Sequence, residues 1–189
     1  MGFKLRTRLC KQDRSGCGSR GGFTLLEISL AMTVLLVALL TMTSSTLRMN
    51  ALRRQNRERA VAQNTIRAIS ERVHALAGQL RRESNNWSAD FVAGVSAGGV
   101  VGNEFAVDEL TEQAGFPSVG SIELFLNEGQ SDEDIGLELG MPRDLDGDGV
   151  ANNANVTATA RIIPVVVRAR WTGVSGDVEL AHPFYVIGY

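Results

Sequence analysis

The chain has 189 residues and a formal net charge of −2, and that near-neutrality hides a sharp division. Residues 1–22 carry Lys4, Arg6, Arg8, Lys11, Arg14 and Arg20 against Asp13, whereas beyond Glu83 four arginines face 16 acids. So acidic a C-terminal part argues against nucleic-acid binding, which needs clustered cations against phosphate, and fits a soluble head. Both cysteines, Cys10 and Cys17, lie in the basic leader. They are too widely spaced for a CxxC metal or redox motif, and no histidine is near.

The leader has no apolar core of its own, so it is not an ordinary secretory signal. The hydrophobic stretch follows it. From Ile28 to Leu47 there is no charged residue. Twenty helical residues rise about 30 Å, the thickness of a bilayer core. One acid, Glu27, stands at the start of this stretch. A carboxylate in lipid is costly and usually has a task. An uncleaved signal anchor is the competing reading.

The segment Arg20-Gly21-Gly22-Phe23-Thr24-Leu25-Leu26-Glu27 resembles the class III signal of type IV prepilins and type II secretion pseudopilins. The resemblance implies cleavage between Gly22 and Phe23 by a prepilin peptidase and N-methylation of Phe23. It also implies a role for Glu27 in subunit assembly. With the leader inside, the head lies outside the cytoplasm, anchored in a bacterial inner membrane. One charge pattern runs against that orientation. Arg48, Arg53, Arg54, Arg57 and Arg59 follow the apolar stretch, and the positive-inside rule would place them in the cytoplasm. Many members of the family close the head with a disulfide, which this chain lacks the cysteines to do.

The next segment, 48–84, reads as an amphipathic stem. Between Phe23 and Arg82 there is no proline and a single glycine, Gly78. Ile66, Ile69, Val73, Leu76 and Leu80 recur at helical spacing and make one apolar stripe. The simplest structure is one helix of about 60 residues, roughly 90 Å long. A coiled coil is the competing reading, but the stripe covers only about two heptads. Ser84-Asn85-Asn86 ends the helix.

The head, 85–189, begins with a glycine-punctuated segment, 85–118, expected to be irregular. Gly120–Gly129 alternates as a strand, and Gln130–Gly140 reads as an acidic loop. Arg161–Trp171 and Val178–Ile187 alternate around a turn at Thr172–Asp177, which predicts a β-hairpin with one buried face. A long helix followed by antiparallel strands makes an α+β fold. That is also the pilin architecture the resemblance implies, with the last hairpin more like minor pilins and minor pseudopilins.

The segment 144–155 carries a second signal. Asp144, Asp146 and Asp148 alternate, Gly149 follows, Val150 offers a carbonyl, and Asn152 and Asn155 take the ninth and twelfth loop positions. Calcium needs several oxygens on such a tight loop, although the bidentate closing glutamate is replaced here by Asn155. A calcium loop and a solvated acidic turn both fit the residues. Some family members bind calcium in the head, and a metal would supply a staple in place of a disulfide.

Gly94-Val95-Ser96-Ala97-Gly98 matches the nucleophile-elbow pattern. The elbow needs a strand before it and a helix after it, and the flanks here read as a glycine-rich loop. His182 and His74 read as structural. The expectation is therefore a non-enzymatic minor pilin or minor pseudopilin. It would be cut by prepilin peptidase and joined to other pilin or pseudopilin subunits in a pilus or pseudopilus. The alternative is a membrane-anchored calcium-binding adhesion or scaffold module outside any filament.

Overall fold

The computed structural model describes residues 24–188. The chain divides after Leu47 into two units. Helix α1 covers Leu25–Glu83, as the absence of helix breakers predicts. Thr24 starts it, its hydroxyl and carbonyl both accepting from the Glu27 amide.

In the first unit every residue from Thr24 to Leu47 is exposed, including Leu36 and Val37, at 58% and 60%. Among the described residues, α1 is the one helix long and apolar enough to cross a membrane.

The second unit is built on the stripe predicted from spacing. Ala62, Ile66, Ile69, Val73, Leu76 and Ala77 of α1 are buried and join one hydrophobic core. Four antiparallel strands supply the rest of the frame in the order β1-β2-β3-β4. They are β1 (Glu104–Phe105), β2 (Gly120–Leu124), β3 (Ile162–Gly173) and β4 (Gly176–Ile187). The fold is α+β, as expected. Hairpin β3–β4 pairs from Ile162↔Ile187 to Gly173↔Gly176, so the turn is only Val174-Ser175. This is tighter than the expected Thr172–Asp177, because Gly176 at φ 103° lets the chain reverse in two residues.

Other expectations also need correction, and the strand expected over Gly120–Gly129 stops at Leu124. The segment 85–118 is not irregular throughout, since it contains helix α2 (Trp87–Val95) and strand β1. Trp87, Phe91 and Val95 stand four residues apart and are all buried, a short apolar stripe that the neighbouring glycines obscure. Asn86 caps α2 by accepting from the Ala89 amide, and the Trp87 indole donates to the Ala77 carbonyl at 3.1 Å. The acidic loop 130–140 holds a one-turn helix, α3 (Asp132–Ile135), closed by a capping box between Ser131 and Asp134.

The hairpin is also not buried on one face alone. On β3, Val165, Val167, Ala169 and Trp171 are buried, and so are Val166 and Arg168 between them. Phe184, opposite Val165, lies 4.8 Å from the His74 ring of α1, so this face meets α1. The other face is covered from α3, because Arg168 donates to the Ile135 carbonyl at 3.2 Å. Arg168 also binds Glu123 at 3.0 Å and Glu179 at 2.7 Å. Arg170 flanks the same two acids while lying over the Phe116 ring. A cation under this cover is tolerated because its donors are satisfied. Burial pushes the Glu179 carboxyl up, but the Arg168 hydrogen bond and the Arg170 charge outweigh it and hold it below the usual range.

Candidate functional site

Two regions carry candidate chemistry. The first is the N-terminal end of α1. Gly22 and Phe23 lie outside the described residues. Glu27 is in the first turn of α1 and exposed, where a negative side chain complements the helix dipole. It shares a side of the helix with Ile28, Ala31, Met32 and Leu35. A carboxylate so placed is available to a cation arriving at the helix start.

The second region is the acidic loop. Its organising residue is Glu128, which is fully buried. One carboxylate oxygen accepts from the amides of Leu145 at 2.7 Å and Asp146 at 3.2 Å, and the other from Asn153 at 3.1 Å. Three backbone donors replace the water this carboxylate gives up. Asp144 accepts from Gly147 at 2.6 Å and Gly149 at 2.8 Å. These bonds, Gly149 first, hold its carboxyl below the usual aspartate range. Gly147 and Gly149 have φ of 80° and 93°, a backbone that glycine adopts without strain.

Oxygens of Glu128, Asp144 and Asp146 come within 4.8 Å of one another. Asp148 accepts from the Val150 amide, and the Asn153 side chain donates to both Asp146 and Asp148. Thr159 reaches Asp146 at 3.3 Å. Val150 is exposed, and so is Asn152. The Asn155 side-chain oxygen accepts from the amide and the hydroxyl of Thr157. The structure thus draws Asp144 and Asp146 together with Glu128, and sets Asn155 to capping a turn instead. All the converging donors are hard oxygens, the set that suits calcium rather than zinc or copper.

Sequence reasoning missed Glu128 and Asn153. Nothing in Asn127-Glu128-Gly129 marks that acid, because its partners lie 17, 18 and 25 residues further on. Asn153 stands between Asn152 and Asn155 in Asn152-Asn153-Ala154-Asn155, and counting loop positions from Asp144 points to those two instead.

Ser96 does not sit on a nucleophile elbow. Helix α2 precedes it, and its hydroxyl donates to the Ala93 carbonyl at 2.7 Å. His74 and His182 are exposed, and both tilt against Phe184, at 4.8 and 5.7 Å. Comparison with protein-family models, curated proteins and solved structures found no match to the chain.

Proposed function

We propose that this chain is a minor pilin or minor pseudopilin, a non-enzymatic subunit of a type IV pilus or a type II secretion system. The observation that carries the reading is the exposure of α1 from Thr24 to Leu47, an apolar surface headed by a single carboxylate. A helix apolar on all sides belongs in lipid or among other helices. In this reading the leader holds the precursor in a bacterial inner membrane. Prepilin peptidase then cuts after Gly22 and methylates Phe23. As the helix leaves lipid for a filament core, Glu27 neutralises the new amine of a neighbouring subunit, which offsets the cost of burying either charge. The head stays outside the cytoplasm.

N-terminal sequencing of the mature protein should begin at Phe23, and Gly22→Val should block processing. Glu27→Leu should still insert and be cut, yet should vanish from sheared filaments. A chain that keeps its leader, or normal incorporation of the leucine variant, would overturn the reading.

The convergence of Glu128 on Asp144 and Asp146 favours a second reading, a membrane-anchored module whose head takes up calcium. Glu128, Asp144 and Asp146 would hold the ion, with Asp148 beside them. The ion would staple the loop in place of a disulfide. Calcium should raise the melting temperature of the head, as a ligand of the folded state does, and Asp146→Ala should abolish the rise. A melting temperature indifferent to calcium would leave the segment an acidic turn.

A further inference from the structure

The arginines that follow the apolar stretch conflict with the orientation proposed above, because they lie on the head side. Their arrangement supplies a reason for their presence. Arg48, Arg53, Arg54, Arg57 and Arg59 are all exposed on α1, with Glu58 the one acid among them. Arg54 pairs with Glu58 at 3.2 Å and Arg57 with Glu109 at 2.8 Å, yet their side chains remain 75% and 71% exposed. Among the described residues, no carboxylate comes within ion-pair distance of Arg48, Arg53 or Arg59.

The directions decide between partners. At about 100° per residue, and with Arg48 at zero, the others point near 140°, 240°, 180° and 20°. The cations thus surround the helix. A protein that docks from one side would meet two or three of them and leave the rest. A headgroup layer surrounds a helix on every side, as lipid tails would surround the all-round apolar stretch before it. Arg48, Arg53 and Arg54 fall within about 9 Å along the axis, a depth that long arginine side chains can bring to one plane.

We propose that these five arginines form a collar that binds the anionic phospholipid headgroups of the leaflet facing the head. The proposal rests on the reading that 28–47 crosses a bilayer. The collar also counters the repulsion between that leaflet and the acidic head. Each arginine held at an anionic surface strengthens attachment about fivefold, and the effect fades as salt rises. A subunit leaving for a filament must give up these contacts.

The test uses the full chain in vesicles of equimolar phosphatidylcholine and phosphatidylglycerol. The protein is recovered with its nearest lipids, and the two lipids are quantified. The wild type should retain phosphatidylglycerol about fivefold over phosphatidylcholine or more. Combined Arg48→Gln, Arg53→Gln and Arg59→Gln should cut that enrichment severalfold, to what Arg54 and Arg57 retain. This variant spares both internal ion pairs, so the head should melt as in the wild type. Alkaline carbonate extraction separates the two readings. Wild type washed from the vesicles would overturn the spanning helix, and the collar with it. Wild type that stays inserted with lipids in bulk proportion would overturn the collar alone. So would a triple variant that keeps the enrichment, or one that loses only self-association, which would assign the arginines to the acidic head of a second copy.

Discussion

The two parts of α1 use the same helix to opposite ends. Residues 25–47 are apolar on all sides and buried on none. Residues 62–77 hold their apolar side chains to one stripe and bury it in the head, with Val73 completely enclosed. Helix propensity is high in both, so it does not separate them. What separates them is where the polar residues fall. Scattered hydroxyls in the first part are satisfied within the helix, as when Thr43 donates to Leu39 and Thr46 to Met42. The second part instead carries charge on its outward face. The first part is built for an environment and the second for a particular neighbour.

The sharpest way to break this contrast is to put the same charge into each part. Val73→Asp should cost about 3–5 kcal/mol, because an uncompensated carboxylate would sit in the core. Chemical denaturation of the full chain in detergent would show the loss. Val37→Asp should leave that unfolding curve in place and instead weaken membrane insertion by about 2.5–3.5 kcal/mol, read by carbonate extraction. If both variants unfold the head, the division of labour within α1 is wrong.

Smaller changes sharpen the point within the second part. A Cβ on Gly94 of α2 would come 2.8 Å from the Leu76 side chain of α1. Gly94→Ala should therefore destabilise the head by about 1–2 kcal/mol through overpacking, measured as a lower denaturation midpoint. Gly78 has nothing within 4 Å of the corresponding position. Gly78→Ala should stabilise by about 0.5–1 kcal/mol, the helix-propensity gain alone. Stabilisation at both glycines would mean that the stripe is covered elsewhere than at Leu76.

The frame of this fold was legible in the sequence because it is periodic. The stripe from Ile66 to Leu80 and the alternation along β3 and β4 each repeat a local rule several times. Helix α2 was less legible because its stripe has only three members, set close to Gly94, Gly98 and Gly99. Burial of Val166 and Arg168 was not legible at all. The cover on that face comes from α3 and its flanking loops, whose positions no local period encodes. The acidic loop was half legible. Asp144 and Asp146 follow a spacing rule, but the buried acid beside them arrives from a remote turn.

Glu128 also bears on the order of folding. Its carboxylate gathers amides 17, 18 and 25 residues downstream, from a stretch with no strand of its own. Such closures spend chain entropy before any bond repays it. The β3–β4 hairpin, closed across two residues, and the local turns of α1 carry no comparable burden. The segment from Glu128 to Arg161 is therefore expected to close later than the β3–β4 hairpin, and φ-values near zero for Leu145→Ala beside high ones for Val167→Ala would show it.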